Sequence, residues 1–128
     1  TLAQFPLEAT LIGPVPFAPE EAVEPDHVYT LAEGKLLYTP AIRRCLFPLE
    51  ARAEELTEIE NNLFGTLARS ENKVCARTDL VEKIWGGKIK PSSVDNHVKL
   101  IRDKLGPDVA PYIRTLRGVG YMLAKELF

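Results

Sequence analysis

Cysteine is scarce in this chain of 128 residues: Cys45 and Cys75 stand 30 positions apart, with no second pair near either. That excludes a zinc knuckle and argues against a disulfide framework, so a reducing cytoplasm is the expected location. Histidine is as sparse; His27 and His97 are too far apart in sequence to seed a metal-ligand cluster, and no metal is expected. No apolar run approaches the ~20 residues that span a bilayer, and no signal peptide is visible, so no membrane partner is expected. No nucleophile–base pair, carboxylate pair or phosphate-cradling glycine loop stands at usable spacing. Neither an enzyme nor a bound cofactor is expected.

A large charge of one sign is also missing, since 16 basic and 18 acidic side chains leave a net charge of −2. Its distribution is uneven. Residues 1–55 hold four basic and nine acidic groups, whereas residues 56–128 hold twelve basic and nine acidic. Within 88–104 five basic groups face two acidic ones. The acidic total argues against nucleic acid, but phosphate binding depends on the local field, and a basic cluster on one element argues for it. A solvated helix face is the ordinary alternative.

What is present is ordinary for a globular chain: 45% hydrophobic and 27% charged residues, enough for one domain or a small domain plus a tail. The chain begins with Thr1 rather than Met, which fits a segment of a longer protein. Residues 1–26 carry five of the ten prolines together with Glu20, Glu21, Glu24 and Asp26, and read as an acidic linker or extension. Phe5–Ala9 recurs as Phe47–Ala51, but one matching pentapeptide establishes no repeat.

From residue 27 to 56 short apolar runs (Val28–Leu31, Leu36–Tyr38, Cys45–Phe47) alternate with Glu33-Gly34 and Thr39-Pro40, predicting a small antiparallel sheet. The period then changes. Thr57-Glu58-Ile59-Glu60 has the form of a capping box, followed by Ile59, Leu63, Phe64 and Leu67 at helical spacing. A short strand is expected at Val74-Cys75. A second helix carries Leu80, Val81, Ile84 and Trp85 and stops at Gly86-Gly87. A third starts after Pro91, with Ser92 or Ser93 as cap, and ends at Gly106-Pro107. Ile113–Leu116 and Tyr121–Leu123 flank a glycine turn and form a hairpin, with Gly118 and Gly120 read as turn residues. Sheet, three helices and a terminal hairpin make an α+β winged helix-turn-helix over 27–128, with the helices and wing in 57–128.

At 100° per residue, Val98, Ile101 and Leu105 fall within about 40° of Val94 and must face the core. Ser92, Asn96, Lys99, Leu100 and Asp103 fall at roughly 140° to 240°, on the opposite side. An amide, a lysine and small hydroxyls on that side suit base edges and phosphates in a major groove, with Arg102 and Lys104 flanking. His97, at about 300°, lies at the edge of the core face, where a packed or phosphate-touching role outweighs metal binding. Trp85 reads as core before function. Asp95 reads as the partner of a nearby arginine, and both cysteines as small buried hydrophobes.

From Leu56 to Leu123 the chain resembles the DNA-binding effector domain of OmpR/PhoB-type response regulators. The resemblance is carried by Leu56–Glu60, Leu80–Gly86, Val94–Val98 with Arg102 and Lys104–Gly106, and above all Ile113–Tyr121. It implies sequence-specific binding of double-stranded DNA and transcription regulation within a two-component system. It places Asn96 and Lys99 in the major groove, Ser92 and Ser93 at the start of the recognition helix, and Arg117 in or beside the minor groove. Thr115 would meet a phosphate, and Arg77, Trp85 and His97 the DNA backbone. Two head-to-tail copies on DNA, and RNA polymerase contact through Gly86 to Lys90, are also implied; a free monomer is expected. Relatives usually carry a basic residue where this chain has Leu100, and commonly one where it has Asp103; the loop from Gly86 is shorter than in many. Leu100 could instead read a thymine methyl. The alternative function is a winged-helix protein-interaction module with weak or no DNA binding.

Overall fold

The computed structural model describes residues 27–127. The acidic, proline-rich segment 1–26 lies outside them. Strands β1 (Tyr29–Leu31), β2 (Leu36–Thr39) and β3 (Arg44–Phe47) coincide with the three apolar runs. Antiparallel register sets Tyr29 against Tyr38 and Tyr38 against Cys45. Alternation then sends Leu36, Tyr38, Cys45 and Phe47 to one face, all fully buried.

A fourth strand, β4 (Arg52–Glu55), was not expected, because Arg-Ala-Glu-Glu has no apolar pattern. Its place comes from pairing: residues Phe47–Arg44 of β3 run antiparallel to it, and the Arg52 guanidinium lies 3.8 Å from the Phe47 ring centre. The four strands form a sheet in sequence order.

Helix α1 (Glu58–Arg69) begins with the expected box: the Glu60 amide donates to Thr57 Oγ1 at 3.2 Å, and the Thr57 amide to Glu60 Oε1 at 2.9 Å. Such a cap contributes about 1 kcal/mol. Leu63, Phe64 and Leu67 are fully buried beneath the sheet-and-helix core, while Ile59 is half-buried. Helix α2 (Arg77–Trp85) stops at Gly86, whose φ of 63° is left-handed. Leu80 and Val81 are buried there; Ile84 and Trp85 are only partly covered.

Helix α3 (Pro91–Leu105) seats Val94, Val98, Ile101 and Leu105 at 0% exposure, the predicted stripe. Its cap differs from expectation. Lys90 is the N-cap residue and makes no side-chain cap, Pro91 takes the first helical turn with its fixed φ, and Ser92 and Ser93 lie inside that turn.

The C-terminal strands β6 (Ile113–Leu116) and β7 (Gly120–Leu123) form the hairpin, and a third strand, β5 (Cys75–Ala76), joins them in the order β5-β7-β6. The short strand is thus one residue later than expected, and Val74 is exposed. Gly118 turns the hairpin at φ +77°. Gly120 does something else: a Cβ there would overlap the Cys75 carbonyl oxygen, so its role is close approach of β5 and β7, not turning. Cys45 is fully buried, and burial pushes its thiol pKa up to about 12; Cys75, on an edge strand, is only half-buried.

Candidate nucleic-acid interface

The core stripe of α3 fixes what its other side presents. Ser92, Asn96, Lys99, Leu100 and Asp103 all point to solvent, with Leu100 50% exposed. Asn96 makes no side-chain hydrogen bond among the described residues, so its donor and acceptor are free. Lys99 Nζ lies 3.6 Å from Asp103 Oδ2, one turn on. Both groups are largely exposed, and such a pair is worth only about 0.3–0.5 kcal/mol, so a phosphate or base edge can displace it. Asp103 nonetheless lowers the positive potential of this face.

His97 and Trp85 pack together at the junction of α2 and α3, ring centres 4.9 Å apart, with His97 Nδ1 3.0 Å from the Ser93 carbonyl. Both are half-buried, which agrees with a packed histidine and leaves their outer edges at the surface.

Arg77, Arg102 and Thr115 belong to two hydrogen-bonded groups that join α2, α3 and the wing, with the Arg102 guanidinium 5.6 Å from the Tyr121 ring centre between them. Arg77 Nε donates to Asp95 Oδ1 at 2.8 Å, and the Tyr121 hydroxyl donates to the same carboxylate oxygen. The Arg77 guanidinium also lies 5.0 Å from the Tyr121 ring centre. Burial alone would raise the Asp95 pKa, but the Tyr121 and Arg77 hydrogen bonds outweigh it and hold the carboxyl below its ordinary value. Arg102 Nη2 donates to the Ile113 carbonyl at 2.7 Å and to Thr115 Oγ1 at 2.8 Å. Thr115 accepts in that bond and keeps its own proton to donate. In the sequence Tyr121 belongs to a hairpin strand and ends the resembling segment Ile113–Tyr121; no local pattern marks its hydroxyl, whose partner lies 26 residues away.

Two expectations change here. Arg77 and Arg102 are not free arms beside the groove but ties within the domain, since their planar forks find carboxylate, carbonyl and hydroxyl partners across three elements. Lys104 does not flank the groove at all: its Nζ donates to the Glu55 carbonyl at 2.9 Å and to Glu60 Oε1 at 2.6 Å. By contrast, Arg117 stands exposed in the turn between Leu116 and Gly120 and has no ion pair among the described residues. The arginine that Asp95 pairs with is Arg77, not Arg117.

Between α2 and α3, Gly86, Gly87, Lys88 and Lys90 are exposed and Ile89 is half-buried against the core. Gly86 and Gly87 are both left-handed, at φ +63° and +78°.

Two helices joined by this turn, with the second helix tied to a hairpin, define a winged helix-turn-helix domain. Residues 51–123 match the family described as "Transcriptional regulatory protein, C terminal". The chain belongs to that family, the OmpR/PhoB-type effector domains. Over 72 residues, 54% of the chain, it is 36% identical to the response regulator ArlR of Staphylococcus aureus. It spans about a third of the length of that curated relative. Among solved structures it resembles the DNA-binding domain of CpxR from E. coli, with TM-score 0.64 and 26% identity over 77% of this chain and 97% of that one. It also resembles DrrB, an OmpR/PhoB homologue of Thermotoga maritima, with TM-score 0.63 and 29% identity over 71% of this chain and 42% of that one. This is a family of transcription-regulator domains, not of enzymes. Among the described residues no helix is long and apolar enough to cross a membrane.

Proposed function

We propose that this chain reads double-stranded DNA by sequence, as the effector domain of a cytoplasmic two-component response regulator. The observation that carries this reading is the Arg77–Asp95–Tyr121 tie, with Arg102 on Thr115. It makes the outward face of α3 and the wing one rigid unit, as reading two adjacent grooves requires. In this reading Asn96 and Lys99 meet base edges, Leu100 meets a thymine methyl, and Ser92, Ser93 and Thr115 donate to phosphates. Arg117 reaches the minor groove, where narrow stretches concentrate negative potential. Trp85 and His97 rest against the backbone with Arg77 and Arg102, the last two acting mainly by holding the frame.

The region 27–128 acts as the DNA-binding unit, with 1–26 as its acidic linker or extension. Two copies occupy direct repeats about one helical turn apart, ~10–10.5 bp, and the Gly86–Lys90 turn offers lysines to RNA polymerase.

Selection from a random duplex pool, followed by sequencing, tests both points. The enriched sites should show one motif repeated at that spacing; an unenriched pool refutes the reading. Asn96→Ala and Lys99→Ala should each cost about 1–3 kcal/mol on the enriched site and relax preference at particular base pairs. Equal losses on random DNA would reduce them to phosphate contacts. The Lys99–Asp103 pair and exposed Leu100 favour a second reading, a protein-interaction module. An affinity for duplex DNA that does not weaken with salt would select it.

A further inference from the structure

The outward face of α3 runs from Ser92 to Asp103, and the C-terminal end of the helix is gripped by side chains from the N-terminal sheet. The last carbonyls of a helix have no partner within it and carry partial negative charge. At α3 these carbonyls meet Arg52 of β4. Its Nη1 donates to the Lys104 carbonyl at 3.1 Å, and its Nη2 to the Leu105 carbonyl at 2.8 Å. The fork has further partners: Nε donates to Glu50 at 2.5 Å, Nη1 also to Glu54 at 3.2 Å, and the guanidinium lies over the Phe47 ring. Gly106 leaves room for it, since a Cβ there would stand 2.7 Å from Nη2. Lys104 reaches in the opposite direction, from α3 to the β4 end at the Glu55 carbonyl and to Glu60 of the α1 capping box. Glu60 is only 4% exposed.

We propose that Arg52 and Lys104 form a clamp through which the N-terminal sheet sets the seat of α3, and so sharpens its discrimination of DNA sequence. The role in discrimination rests on the DNA-reading function proposed above. Asn96 is nine residues from Leu105, roughly 13–14 Å along the helix axis. Over that lever a tilt of about 5° displaces the groove face by roughly 1 Å, as much as a hydrogen bond tolerates. Arg52 is thus a positioning residue, acting on base contacts it does not make.

The test uses the whole chain with two substitutions. Arg52→Met keeps an apolar stem over Phe47 and removes the fork; Arg52→Lys keeps the charge as a single point donor. Backbone amide shifts are recorded on the free protein. Affinities for the enriched duplex and for a scrambled duplex are measured at a temperature where circular dichroism shows every variant folded. Arg52→Met should move the amides of 92–100 as well as those of 104–106. It should weaken the enriched duplex about 3- to 10-fold, with scrambled DNA and the salt slope unchanged. Arg52→Lys should recover part of the loss. Shifts confined to 104–106, or an unchanged ratio of affinities in folded protein, overturn the clamp and leave Arg52 a stabilising cap. If the unaltered chain shows no preference for the enriched duplex, the DNA-reading function falls; the amide shifts then still decide whether the sheet seats the helix.

Discussion

The two sheets of this domain use their strands differently. In the N-terminal sheet four strands in sequence order cover one side of the core, and Leu36, Tyr38, Cys45 and Phe47 are fully buried. In the C-terminal sheet β5 is two residues long, and the turn 117–119 stands wholly exposed. The first sheet is held by apolar area. The second also buries Ile113, Tyr121 and Leu123, and adds specific contacts: Gly120 against Cys75, and the Asp95 carboxylate receiving Tyr121 and Arg77. The hairpin strands are thus placed by polar and steric detail as well as by burial, while their tip is left exposed. Arg117, at that tip, has no ion pair among the described residues, so its position depends on the strands beneath it.

The largest effect should come from the first sheet. Phe47→Ala removes a fully buried ring and the surface under Arg52, and should destabilise the fold by about 3–5 kcal/mol in urea unfolding. A loss below 1 kcal/mol would mean that this sheet does not carry the core. Gly120→Ala comes next: the added methyl meets the β5 backbone, which cannot shift like a side chain, so roughly 1–3 kcal/mol or more should be lost. Gly118→Ala, at a left-handed turn with open space around it, should cost only about 1 kcal/mol. Equal costs at the two glycines would erase the distinction between close approach and turning.

Acid should loosen the polar ties before the apolar sheet. Burial raises the Glu60 pKa, but Lys104 and Thr57 outweigh it, and the carboxyl lies below its ordinary 4.5; Asp95 likewise lies below 3.8. Groups with depressed folded pKa values contribute stability that is present above their unfolded values and lost as pH falls through the folded ones. The melting temperature should hold near neutrality and drop below about pH 4.5, and Glu60→Gln should flatten part of that drop. A melting curve that is as acid-sensitive without Glu60 as with it would show the pair contributes nothing.

The smallest effect on stability belongs to the wing tip. Arg117→Ala should change stability by less than about 0.5 kcal/mol, as an exposed tip allows. The same variant should make log affinity against log salt shallower by roughly one unit, one phosphate's worth. A destabilised variant whose folded fraction binds normally would remove the wing from the interface.

Local pattern determined much of this protein. The Thr57–Glu60 box, the Val94–Leu105 stripe and the β6–β7 hairpin are set by residues within a few positions of one another, and each is where periodicity and capping put it. The outward position of Asn96 and Lys99 followed from the same period. Helices and hairpins are short-range objects, so their signals survive in a bare sequence. Tertiary structure decided the rest. β4 has no apolar pattern and is a strand because β3 pairs with it; Gly120 is needed because β5 lies against it; Lys104, which local spacing put beside the groove, turns inward to Glu60, 44 residues away. Long charged side chains can reach in several directions at nearly equal cost. Which direction wins depends on carboxylates and carbonyls that only the folded chain brings within reach.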